Sequence, residues 1–258
     1  MQALVGQEVP FGQGCQQMEL LAGLQVTAKA VERASETIGE DITRREQQEL
    51  HRTVQLDLPV IIGEPVSLLY VQMDGTGVPV VKKETLDCKG KRAGQPAHTR
   101  EAKLGCVFTQ THCDSEGYPI RDPDSTTYVG AIETAEEFGK RLYVEAWKRG
   151  WSRATHKVVL GDSAEWVWNL AQLHSPGAIQ IVDLYHARQH LWELARQLYP
   201  HDEKRRNAWI GLHQKRWLDN GKIQKLIDGL RVIQTPDAEL ADKIRTEANY
   251  FASNAQIS

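Results

Sequence analysis

The order in which strand-like and helix-like runs follow one another most constrains how this chain can fold. Three strand-like stretches come in succession with no helix between them: Ser67 to Met73 (SLLYVQM), Ala102 to Thr111, and Thr126 to Ile132. β-branched and aromatic residues crowd these runs, and turn-forming residues bound them. The first is expected to stop at the turn sequence Asp74-Gly75-Thr76-Gly77. Thr134 then opens an amphipathic helix through Phe138, Leu142, Val144 and Trp147, closed by Gly150. A short buried-type strand, Lys157 to Leu160, leads to Gly161-Asp162. A helix carrying Trp166, Trp168 and Leu170 comes next, then a Ser-Pro-Gly break at Ser175 to Gly177 and a strand from Ile179 to Val182 ending at Asp183. Everything beyond reads as helix.

The resulting order, β-β-β-α-β-α-β-α, predicts an α/β fold in which an antiparallel meander is joined to parallel strands by right-handed crossovers. That is the succession of the ribonuclease-H-like mixed sheet. At 258 residues the chain can bury one sizeable core with a small appended module. The expected division is a helical region over residues 1–58, the core over 65–200, and a C-terminal helical insertion over 201–258. The segment from Pro59 to Pro65 is the candidate linker. In the first region Met18, Leu20, Leu21 and Leu24 give way to a Thr27 cap, with Gly23 at the turn, and Val31, Ala34 and Ile38 continue on a second helix. This is the outline of a helix-turn-helix, and equally of a helical brace for the core.

No stretch approaches the roughly 20 apolar residues of a membrane span, and the N-terminus lacks the pattern of a signal peptide. A cytoplasmic location is therefore expected. Cys15, Cys88, Cys106 and Cys113 form no C-x-x-C pair and read as reduced thiols rather than a zinc site. A net charge of −3 argues against a wholly basic coat but leaves room for a local basic stripe.

Asp74 and Asp162 each follow an apolar strand, at the sheet edge where ligand sites of α/β sheets gather. If their strands are neighbours, the two carboxylates form a hard-oxygen site suited to Mg²⁺ or Mn²⁺. A pair of such ions about 4 Å apart promotes phosphodiester cleavage. Taken singly, each aspartate equally suits a turn or a helix cap.

Three segments carry a resemblance beyond spacing: MDGTGVP (Met73 to Pro79), GDSAEWVWN (Gly161 to Asn169) and VDLYHARQHLW (Val182 to Trp192). They resemble signature blocks of the ISKra group of bacterial insertion-sequence transposases, and Ala3 to Arg33 resembles the region ahead of that group's core. The resemblance implies a DDE transposase that cuts transposon ends and joins them to target DNA. It further implies two Mg²⁺ or Mn²⁺ ions, a homo-oligomer when complete, and a bacterial cytoplasm. Asp74 matches the first catalytic and metal-binding acid and Asp162 the second. Asp183 and His186 resemble the C/D-x-x-H motif of related Mutator-like transposases. Three residues apart at a helix start, they could bond each other or grip a phosphate, or be a capping Asp and a half-buried His.

The family's final Glu follows a Gly-Ser-Gly type segment that this sequence does not contain. Glu239 and Glu247 are the late glutamates, each in a charged run that reads as solvated. The chain is therefore expected to be truncated before the third carboxylate and to cleave DNA poorly by itself. Candidate DNA contacts are Lys89, Lys91, Arg92, Arg100 and Lys103, with Lys82-Lys83 nearby; such loops are also commonly only solvated. Trp166 and Trp168 could stack on a base or pack in the core. Lys204, Arg205 and Arg206 read as a solvated helix face. Beside the transposase reading stand a non-catalytic DNA-binding or oligomerising remnant and a host nuclease of the same fold.

Overall fold

The computed structural model describes residues 1–54, 63–85 and 97–255. Pro59 in the expected linker, Cys88, and the basic residues Lys89, Lys91 and Arg92 lie outside them. The chain divides into two compact units, Met1–Val60 and Ile61–Ser258.

The first unit is helical: α1 (Gln2–Glu8), α2 (Phe11–Ala22) and α3 (Ala28–Val54). Gly23 closes α2 in the left-handed region at φ 63°, donating its N–H to the Glu19 carbonyl, while Leu24 N–H reaches the Met18 carbonyl at 3.3 Å. That is the glycine-terminated cap the sequence suggests. Thr27 then caps α3 by accepting from Ala30 N–H at 3.2 Å. Met18 and Val31 are buried, whereas Leu20, Leu21, Leu24 and Ile38 are exposed. At 27 residues α3 runs well past a two-helix motif. A β-carbon on Gly6 would lie 2.2 Å from Ser35 Oγ, so the absence of a side chain there lets α1 approach α3.

The second unit is built on a five-stranded mixed sheet. Its strands are β1 (Val66–Pro79), β2 (Thr99–Thr109), β5 (Thr127–Ala131), β6 (Ala154–Gly161) and β7 (Ile179–Val182), in the order β5-β2-β1-β6-β7. The first three pair antiparallel, and β6 and β7 add in parallel. A small hairpin, β3 (His112–Cys113) and β4 (Pro119–Ile120), interrupts the path from β2 to β5 and was not foreseen from sequence. Its base is held by Asp122, which accepts from the hydroxyls of Thr109 and Thr111 at 2.5 and 2.9 Å, from Thr111 N–H, and pairs with His112 Nδ1 at 2.7 Å. Burial would raise the Asp122 pKa, but these bonds outweigh it and hold the carboxyl well below the usual range. Asp122→Ala is expected to cost about 1–3 kcal/mol at neutral pH. Because the folded-state pKa is depressed, this contribution is present above the unfolded carboxyl pKa and fades as pH falls through the folded one. Urea denaturation at pH 7 and pH 3 checks both statements.

Helices α4 (Ala135–Lys148) and α5 (Glu165–His174) cover one sheet face. Leu69, Val71 and Met73 of β1, Val107 and Val159 meet Phe138, Leu142, Val167 and Leu170 in this core. Alternation along β1 therefore turns Tyr70, Gln72 and Asp74 to the opposite face, where Tyr70 and Phe108 stack at 4.9 Å. Trp166 and Trp168 both pack against the core, and Trp166 meets Phe138 edge-on, so neither is a free platform for a base. Gly161 matters at the end of β6: an added β-carbon would lie 2.4 Å from Val167 Cγ1. Gly161→Ala is expected to force α5 away from the strand end at a cost of about 1–3 kcal/mol, read by urea denaturation.

A second core is wholly helical. It joins α6 (Leu184–Leu198) to α7 (Glu203–Ile210), a π-helical turn (Gly211–Trp217), α8 (Ile223–Arg231) and α9 (Ala238–Asn254). The buried residues of α6, Ala187, Leu191, Leu194 and Ala195, all belong to this second core, not to the one under the sheet.

Candidate functional site

The expectation that β1 ends at Asp74 is corrected. Residues 74–79 remain extended and paired with β2, Asp74 opposite Leu104 and Gly77 opposite Glu101. The D-G-T-G sequence forms no turn because β2 is long enough to continue the ladder. What stops at this level is the other partner, since β1 and β6 part after Met73 and Gly161.

Asp74 is the next residue after that last parallel pair on β1, and Asp162 is the next after it on β6. The same line extends to β7. Gly161 pairs with Val182, and Asp183 N–H donates to the Gly161 carbonyl at 2.8 Å. Three aspartates thus occupy successive strand positions along one edge of the sheet, the edge at which ligand sites of α/β sheets gather.

Each aspartate spends one oxygen locally. Asp74 Oδ1 accepts from Gly75 N–H at 2.7 Å and Asp162 Oδ1 from Ala164 N–H at 3.1 Å. Asp183 is the N-cap of α6, its Oδ1 accepting from Tyr185 and His186 N–H at 2.7 and 3.4 Å. Asp183 therefore bonds the His186 backbone rather than its imidazole, which packs edge-on against His190.

Among the described residues, no three His, Cys, Asp or Glu side chains form a group that could hold a metal ion. Asp74 and Asp162 each keep one oxygen uncommitted among the described residues, and in chemistry such carboxylates suit one hydrated Mg²⁺ or Mn²⁺, which commonly relies on one or two carboxylates plus phosphate. They do not fit an enclosed pair of ions.

The basic residues divide. Lys103 is buried, contrary to its expected role as a DNA contact. Its ammonium donates to Glu101 Oε2 at 2.6 Å and the Glu133 carbonyl at 3.1 Å, and lies 5.5 Å from the Trp166 ring centre. Lys103 faces inward because it alternates with Leu104 on a strand whose inner face meets α4 and α5. Arg100 lies opposite Val78, beyond the aspartates. Lys82 and Lys83 are exposed, as are Lys204 and Arg205; Arg206 is half-buried near the Tyr199 carbonyl.

The late glutamates also separate. Glu239 is exposed at the start of α9, where its N–H bonds the capping Asp237. Glu247, expected to be solvated, is only 1% exposed. Lys243 and His190 Nδ1 pair with its two oxygens at 2.6 and 2.8 Å. Burial raises the Glu247 pKa, but the bonds from His190 and Lys243 prevail and hold it below the ordinary value. Tyr250, one turn on, stacks on His190 at 4.0 Å. A largely apolar cavity of about 470 Å³ is lined by Tyr250 together with Val182 and Leu184, the residues flanking Asp183. Sequence reading passed over His190 and Tyr250. A signal existed for Glu247, because it falls in the stripe Ile244, Ala248 and Phe251, whose spacing marks the buried face of α9.

Among the described residues no helix is long and apolar enough to cross a membrane. Compared with known protein families and with curated proteins, the chain matches no family model and no curated sequence.

Proposed function

We propose that this chain carries the ribonuclease-H-like core of a DDE-type transposase of the ISKra kind, binding DNA phosphate at the Asp74–Asp162 edge with the help of Mg²⁺ or Mn²⁺. One observation carries the reading: Asp74 and Asp162 are the first residues beyond the last pair of the parallel strands β1 and β6. The sheet order β5-β2-β1-β6-β7, with an antiparallel half and a parallel half, agrees with it. Asp74 and Asp162 would hold the ion. When bound, it would supply charge neutralisation and polarisation of a phosphodiester. The chain's own residues set the donor positions: Gly75 N–H and Ala164 N–H each fix one oxygen of the two carboxylates. The test is binding of a fluorescent duplex oligonucleotide with and without Mn²⁺. Mn²⁺-enhanced binding that Asp162→Asn removes supports the reading; binding indifferent to both sinks it.

A second reading, a DNA-binding remnant without catalysis, is favoured by the lack of a third convergent ligand among the described residues. Under both readings the purified 258-residue chain is expected not to nick DNA. Mg²⁺-dependent nicking abolished by Asp74→Ala would overturn that expectation. DNA binding that needs no metal and survives Asp74→Ala would select the remnant.

A further inference from the structure

We propose that Tyr250, on α9, is a positioning residue of the aspartate edge, its hydroxyl donating a hydrogen bond to a DNA phosphate oxygen brought there with the cation. The inference rests on the reading above and adds to it an element more than sixty residues downstream of the last strand.

Four observations on the molecule converge. The Tyr250 hydroxyl oxygen is buried and has no hydrogen-bond partner among the described residues, a condition that costs about 1–3 kcal/mol unless an acceptor arrives. The ring is held rather than loose: it stacks on His190 at 4.0 Å with planes 20° apart and meets Phe251 edge-on. His190 is in turn fixed by Glu247, which Lys243 anchors. Finally, the cavity that Tyr250 lines also contains Val182 and Leu184, and Asp183 between them is tied through its N–H to Gly161, the neighbour of Asp162.

The surroundings favour a donor. Burial pushes the phenol pKa up; the neighbouring Ser163 hydroxyl lowers it, and the negative charges of Asp162, Glu247 and Asp183 raise it further. Tyr250 therefore keeps its proton, and no acceptor among the described residues takes it. A bare phosphate would be repelled by the aspartates. A phosphate paired with a divalent cation is not, and its free oxygen is the acceptor the phenol lacks.

The test uses the full chain, Mn²⁺ and a short duplex oligonucleotide. Mn²⁺ binding is followed by electron paramagnetic resonance. Tyrosine ring signals are followed by NMR, with the Tyr250 signal assigned from its loss in Tyr250→Phe. DNA affinity is measured by fluorescence anisotropy. The expected result is selective broadening of the Tyr250 signal by bound Mn²⁺. Tyr250→Phe keeps the stack on His190 and removes an unsatisfied hydroxyl, and is expected to leave Mn²⁺ affinity unchanged and to raise the melting temperature slightly while weakening Mn²⁺-dependent DNA binding about 5–10-fold. If Mn²⁺ binds but Tyr250 is not broadened and the variant binds DNA like the parent, Tyr250 has no such role while the aspartate site stands. If the parent binds no Mn²⁺, the aspartate reading fails and this inference falls with it.

Discussion

Replacing Asp74 with alanine is expected to lower Mn²⁺ affinity by at least about 10–100-fold, the range already seen when only a supporting partner of a metal ligand is lost. The effect on folding should be small. Asp74 is exposed, and among the described residues its one hydrogen bond is from the adjacent Gly75 N–H. Its backbone stays paired with Leu104 whatever the side chain. Asp162→Ala should behave alike for the ion but carry a modest stability cost, since Asp162 also accepts from Ala164 N–H at the entrance to α5. Isothermal titration with Mn²⁺ and urea denaturation on the same samples separate the two effects. Equal Mn²⁺ affinity in Asp74→Ala and parent would remove Asp74 from the proposed site.

The second large effect lies in α9. Glu247 is a carboxylate sealed in the helical core, with Lys243 and His190 as its partners. Removing one partner of a buried pair typically costs about 3–5 kcal/mol, because the other charge is left uncompensated. Lys243 is 33% exposed and His190 would remain, so Lys243→Ala is expected to cost less, about 2 kcal/mol. Glu247 has a folded-state pKa below its unfolded value of about 4.3. Its contribution is then complete above the unfolded pKa and lost as pH falls through the folded one. Urea midpoints between pH 7 and pH 3 should fall in the parent chain. Glu247→Gln should show a shallower fall over the acid part of that range. A parallel acid slope in the two proteins would mean that Glu247 is not held as an ion.

Glu247 also shows how far the sequence could be read. A charged residue among Asp242, Lys243, Arg245 and Glu247 looks solvated when charge density alone is weighed. What distinguishes it is the helical stripe Ile244, Ala248 and Phe251, and which face is buried depends on α6 and α8 covering it. Lys103 misleads in the same way. In the sequence it opens a strand-like run just after a basic loop and counts with that loop's residues as a DNA contact; in the sheet it is an inward position facing Trp166, with Glu101 for a counter-ion.

Local patterns did determine much. Apolar runs located the five strands of the main sheet. Gly23 with Thr27, Thr134 and Gly177 marked helix ends and breaks where caps or left-handed backbone are found. The capping alternative for Asp183 is also borne out. These features depend on the few residues beside them, so sequence suffices. The tertiary structure decided what depends on a distant partner. Pairing with β2 kept Asp74 to Gly77 extended against their turn-forming composition, and the α8–α9 face drew α6 out of the core beneath the sheet. The register of β1, β6 and β7 aligned Asp74, Asp162 and Asp183, because alignment is a property of paired strands and no single strand contains it.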